Sequence, residues 1–141
     1  MLQSRRYFFK KNERLCLSND IKDVMANGKK IMLYPVLANY VIKNAEHCET
    51  VKIAISVAKR NFKKAVDRNL LKRRIREAYR HNKHNLTDLA KKYNKAINAI
   101  IIYVPKEKLS YGEIERGIAK LLENIAKNIE KHSNISADIV D

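Results

Sequence analysis

The sequence predicts an α+β domain, an α/β sandwich in which about four strands pack with three helices. Three observations carry this prediction. Residues 51–57 alternate cleanly, with Val51, Ile53, Ile55 and Val57 facing one way and Lys52, Ala54 and Ser56 the other, which is the period of a half-buried strand. Residues 97–104, INAIIIYV, form an apolar strand closed by Pro105. Two further segments, from about Ala65 to His84 and from Ser110 onward, repeat their apolar residues at helical spacing.

Taken in order, residues 1–11 are basic and aromatic and read as an arm. A first helix starts at Ser18 or Asn19 as cap, places Asp20 in its first turn, and gathers Ile21, Val24 and Met25 on one face. Gly28 closes it as a C′ residue would. Residues 32–42, MLYPVLANYVI, read as a strand broken early by Pro35. The sheet reaches four strands if this region splits or if the arm joins it. After the helix that starts at Ala65, a softer stretch (Leu86, Leu89, Ala90, Tyr93) extends or caps it. The last helix opens with Ser110 and Glu113 at capping-box spacing, and Ile114, Ile118, Leu121, Leu122, Ile125 and Ile129 make its core stripe. Residues 132–141 lose the period and read as a disordered tail, so residues 1–131 form a single domain.

Composition narrows the function classes. The chain has 141 residues and a formal net charge of +15, which points to nucleic acid first and an anionic membrane second. No run of about 18 apolar residues exists to span a bilayer, and the start, MLQSRRYFFKKNERL, lacks the apolar core of a secretory signal. Cys16 and Cys48 make no CxxC and no zinc spacing. Together these features fit a reducing cytoplasm. His81 and His84 stand three apart without a partner ligand at suitable spacing, and His47-Cys48, adjacent in a loop, lack the geometry of a nucleophile pair.

The charge is concentrated. Residues 59–83 hold eleven Lys or Arg against two acids, Asp67 and Glu77. At 100° per residue, Lys72, Lys83, Arg76, Asn69, Arg80 and Arg73 fall within an arc of roughly 100°. Leu71, Ile75, Ala78 and Tyr79 fill another, and Arg68 lies near Tyr79. Glu77 falls outside the cationic arc. Arginine forks meet phosphate oxygens two at a time, and Asn69 can pair with a ribose hydroxyl or base edge. A solubilising helix intersperses both signs; this one does not.

These residues resemble a known family. Arg68-Asn69-x-x-Lys72-Arg73-x-x-Arg76-Glu77-Ala78-Tyr79-Arg80, preceded by Ser56-Val57-Ala58-Lys59, is similar to the signature of the bacterial ribonuclease P protein subunit. FKKNERL, Gly28-Lys29 and AIIIYVP followed by LSYGEIE extend the likeness over about residues 8–128. Two departures stand out: Leu70 replaces an arginine, and the loop from Lys59 to Ala65 lacks a glycine and is one residue longer, though Arg60, Lys63 and Lys64 keep it basic.

The resemblance implies a four-stranded sandwich with a left-handed βαβ crossover around the basic helix. It implies binding to a large catalytic RNA through Lys59, Arg60, Lys63, Lys64, Arg68, Asn69, Lys72, Arg73, Arg76 and Arg80. The complex would remove the 5′ leader of precursor tRNA, with catalysis by RNA and Mg²⁺ held mainly by that RNA. The leader would lie between the first helix and the sheet, against Ile21, Met25, Leu37 and Tyr40, with Tyr40 as the stacking ring. No membrane, protein partner, protein-borne metal or catalytic residue is expected. Two alternatives remain: a non-catalytic RNA-binding protein of another ribonucleoprotein, such as a ribosomal protein, and a self-sufficient nuclease, against which the missing acid–base constellation argues.

Overall fold

The computed structural model describes residues 18–44 and 51–140. The basic arm at 1–11, Cys16, and the His47-Cys48 pair lie outside the described residues. The elements run α1 (Ser18–Asn27), β1 (Lys29–Leu33), β2 (Val36–Asn44), β3 (Val51–Val57), α2 (Ala65–Asn82), α3 (His84–Lys92), β4 (Lys95–Tyr103) and α4 (Tyr111–Val140). The strands form one sheet in the order β1-β2-β4-β3. β1 and β2, and β2 and β4, pair antiparallel, whereas β3 and β4 are parallel neighbours, so α2 and α3 lie in the βαβ connection between them.

The sheet reaches four strands because the 32–42 region splits. Leu33 pairs with Val36, and the cis Tyr34–Pro35 peptide fills the two-residue turn between them. Pro35 has no amide hydrogen to give a ladder, which is why the strand breaks there. Among the described residues four helices replace the expected three. The backbone stops being one rod at Lys83, and the soft stretch beyond it is a separate helix, α3. The helical backbone of α4 continues to Val140, through the stretch read from sequence as a disordered tail.

The two faces of the sheet are unequal. One face, with α2, α3 and α4, holds the main core: Leu71, Ile75, Ala78 and Tyr79 of α2, the whole predicted stripe of α4, and Val36, Ala38, Tyr40, Ile97, Ala99, Ile101 and Tyr103 of the sheet are buried there. The capping box that starts α4 is made as expected, with Ser110 N donating to Glu113 Oε2 and Glu113 N to Ser110 Oγ, both at 3.3 Å. Gly117 sits so close to Pro35 that a Cβ would collide with its ring and with Tyr34 O, so a glycine lets α4 cross the hairpin turn.

Among the described residues the other face carries only α1, which packs Val24 on Ile100 with Ile21, Val41, Ala54 and Ile102 around them. Asp23 holds α1 to β2 through Lys43 at 2.8 Å, and Asn27 donates to the same carboxylate. Gly28 does close α1, its amide bonding Val24 O at 2.8 Å. Its φ is not positive; glycine is needed instead because a Cβ would strike Asn39 Oδ1 and Val24 O.

Candidate nucleic-acid interface

The cationic surface begins where β3 ends. Asn61 and Phe62 both donate their amides to Ala58 O at 3.2 Å, folding residues 58–62 into a turn. Phe62 is buried and packs on Tyr103, ring centroids 5.9 Å apart. Arg68 then reaches back from α2 to donate to Phe62 O at 2.7 Å and Lys63 O at 2.9 Å. The longer loop is therefore fixed to the helix, and its cations Lys59, Arg60, Lys63 and Lys64 all point to solvent. Arg68, expected as an RNA contact, spends at least one guanidinium nitrogen on positioning this loop.

Along α2, Asn69 and Arg73 are exposed and Lys72 and Arg76 half-exposed. Among the described residues, none of Lys59, Arg60, Lys63, Lys64, Lys72, Arg73 or Arg76 is tied into an ion pair. Two members of the predicted arc behave differently. Lys83 is only 7 % exposed, because α2 ends at Asn82 and the 100° step no longer sets the direction of residues past that point. Arg80 is paired: Glu77 Oε1 lies 2.7 Å from Arg80 Nη2 and 3.1 Å from His81 Nε2. Glu77 lies outside the arc by angle, yet a residue three positions on is its neighbour on the helix surface. Arg80 beside it holds the Glu77 carboxyl below the usual carboxylate range, with His81 helping. Arg74, on the flank, donates to Leu109 O, and Lys108 pairs with Asp67 at 3.2 Å, so both fasten the loop before α4 to α2.

The α1 face forms a groove. The register aligns Met32, Leu37, Ile102 and Ser56 across all four strands. Met32 is 51 % exposed, Leu37 and Ile102 half-buried, and Ser56 exposed. This row crosses the α1 side of the sheet as a shallow surface strip, here called the groove, whose last member stands three residues before Lys59. Ile21 (half-buried) and Met25 (58 % exposed) line its α1 side. Of the four residues expected at the leader, Ile21 and Met25 on α1 and Leu37 on β2 thus belong to the same side of the sheet.

Tyr40 is not among them. It is 1 % exposed in the main core, on the opposite face, where Asn128 of α4 donates to its hydroxyl; burial raises its phenol above the ordinary range. Strand side chains alternate, so Leu37 and Tyr40, three apart, cannot share a face. The residue that does lie between Leu37 and Val41 on the groove side is Asn39, which the sequence reading does not single out. It is 2 % exposed, its Nδ2 is 3.9 Å from Met25 Sδ, and its Oδ1 has no hydrogen-bond partner among the described residues. Parity along β2 is the signal that finds it.

Fold and surface together define a small α+β protein with a clamped, unneutralised cationic ridge and an adjoining apolar groove. A family model described as Ribonuclease P matches residues 9–126. The chain is 35% identical over 119 residues to the ribonuclease P protein component of Porphyromonas gingivalis, covering 84% of this chain and 87% of that one. It is 32% identical over 124 residues to that of Petrotoga mobilis, covering 83% and 94%. Among solved structures it is similar to the RNase P protein from Thermotoga maritima, with a TM-score of 0.61 at 25% identity over 79% of this chain and 96% of that one. The RNase P protein of Staphylococcus aureus shares the fold, with a TM-score of 0.64 at 23% identity, covering 83% and 97%. The chain belongs to the ribonuclease P protein component family.

Proposed function

We propose that this chain acts in the ribonuclease P holoenzyme by docking the ridge of loop 58–64 and α2 on the catalytic RNA and receiving the 5′ leader of precursor tRNA in the α1 groove. The observation that carries this reading is the set of seven cations on one fixed surface, left without a carboxylate among the described residues. Phosphates are the counter-charge such a ridge lacks, and each one neutralised releases counterions. The groove supports the second half. It is apolar along its floor, flanked by Lys30 and Lys52 on the outer strands, and it leads to Lys59, as a path for a single strand with exposed bases requires.

The chemistry belongs to the RNA in this reading. Mg²⁺ prefers carboxylate and phosphate oxygens in octahedral array, and among the described residues no three His, Cys, Asp or Glu side chains gather to offer a site. The described residues therefore do not offer a Mg²⁺ site of their own, and no step is assigned to one. The protein's part is to neutralise, orient and hold.

The test is cleavage of precursor tRNA by the organism's ribonuclease P RNA, with and without the protein, on leader-bearing and leaderless substrates. The protein should lower the Mg²⁺ requirement and favour the leader-bearing substrate. Equal gains on both substrates would remove the groove from the account, and no gain on either would remove the ridge.

A further inference from the structure

We propose that the end of the sheet beyond β3 and β4 is a second contact for the catalytic RNA, where the ring of Tyr34 stacks on an unpaired base of that RNA; this rests on the ridge reading above. Val36 and Val57 both stand opposite Tyr103, so the next residues outward, Pro35, Ala58 and Val104, leave the sheet in one row. Neighbouring strands are about 4.8 Å apart, which sets Pro35 roughly 10 Å from Ala58 and the cationic loop that follows it. Loops 58–64 and 104–109 hold six Lys or Arg against one acid, Glu107. Beside them Tyr34 and Val104 are 61 % and 37 % exposed, and every other ring among the described residues is buried or half-buried.

The three loops of this end are moored to one another through the last residues of β4. The Tyr103 ring packs on Phe62 of loop 58–64, with 5.9 Å between centroids. Its hydroxyl donates to Glu107 O at 2.6 Å and accepts from Leu109 N at 3.0 Å. Val104 N donates to Pro35 O at 3.0 Å, and Gly117 of α4 presses on Tyr34 O and the Pro35 ring closely enough to exclude any Cβ. Burial raises the Tyr103 phenol above the ordinary range and the Tyr34 phenol adds to the rise, so the Tyr34 ring keeps to the Tyr103 end of the sheet. A surface fixed before binding loses less entropy when it meets its partner. Folded RNA offers both things this end lacks: phosphates for the cations and unpaired bases that lie on aromatic faces. A protein partner fits less well, since the core of a protein interface is depleted in lysine.

The experiment measures binding of the full chain to the cognate ribonuclease P RNA with no precursor tRNA present. Tyr34→Ala should weaken binding by roughly 5- to 100-fold and leave the log–log salt slope as it is, because no charge is removed. Tyr34→Leu, which keeps an apolar side chain without the π face, should lose a similar amount, whereas Tyr34→Phe and Tyr34→Trp retain affinity. The chain contains no tryptophan, so the emission of Tyr34→Trp should change on adding the RNA alone. Parental affinity in both Tyr34→Ala and Tyr34→Leu overturns the proposal. A loss that arises only once precursor tRNA is added overturns it too, by moving the ring to the substrate. The ridge reading is judged separately, by the salt slope of the triple variant Lys72→Ala, Arg73→Ala, Arg76→Ala. A shallower slope there with no effect at Tyr34 removes the ring alone, and an unchanged slope removes the ridge on which this second contact rests.

Discussion

Leu37 and Tyr40 lie three residues apart on β2, and that odd interval sends them to opposite sides of the sheet. The alternation is present in the sequence, but the stacking chemistry of a tyrosine ring points the other way. Tyr40→Phe should cost about 1 kcal/mol in denaturant unfolding through loss of the Asn128 bond, with the preference for leader-bearing substrate unchanged. A lost preference at full stability would return Tyr40 to the groove. Glu77 shows the reverse limit of angular reading. It lies off the cationic arc, yet its carboxylate holds Arg80, because a side chain covers the neighbouring turn as well as its own angle. Glu77→Gln should release Arg80 to phosphate and steepen the log–log salt dependence of RNA binding by somewhat under one. A shallower slope would mean that Glu77 orients Arg80 for contact and does not withhold it.

At the level of elements, the strongly patterned segments were legible: β3 from its alternation, α2 from its apolar arc, and α4 from its capping box and stripe, each set by local periodicity. The split of β1 from β2 followed from Pro35, but the extent of β1 did not, since Lys29 and Lys30 before Ile31 read as polar until their pairing with Tyr40 and Asn39 is known. The separation of α3 from α2 and the burial of Lys83 depend on tertiary packing at 82–84, which no short-range pattern encodes. α1, ten residues long, owes its place to packing more than propensity, and the Asp23–Lys43 pair is its charged tether. Lys43, with Asn27 behind it, depresses the Asp23 carboxyl below its ordinary value near 3.8. A depressed folded value means that the contribution is present above the unfolded value and is lost as pH falls through the folded one. Asp23→Asn should therefore lower stability in the neutral range and flatten the stability–pH curve below about pH 4, where the two proteins converge, as followed by thermal unfolding. An acid limb unchanged in the variant would show that α1 is held by its apolar face alone.

For the molecule as a whole, a net charge of +15 implies a polyanion partner but not where it binds. The structure divides the cations by task. Arg68, Arg74 and Lys108 fasten loops to α2, Lys43 fastens α1, and Lys59, Arg60, Lys63, Lys64, Lys72, Arg73 and Arg76 are left facing outward. That division was invisible in composition, because a lysine held by a carboxylate and one turned to solvent count alike. The most direct measurement is the salt dependence of binding to the cognate ribonuclease P RNA, for the parent and for the triple variant Lys72→Ala, Arg73→Ala, Arg76→Ala. The log–log slope should become shallower by about two units with thermal stability retained, since none of the three is buried. A slope unchanged by removing all three would contradict the ridge as the docking surface.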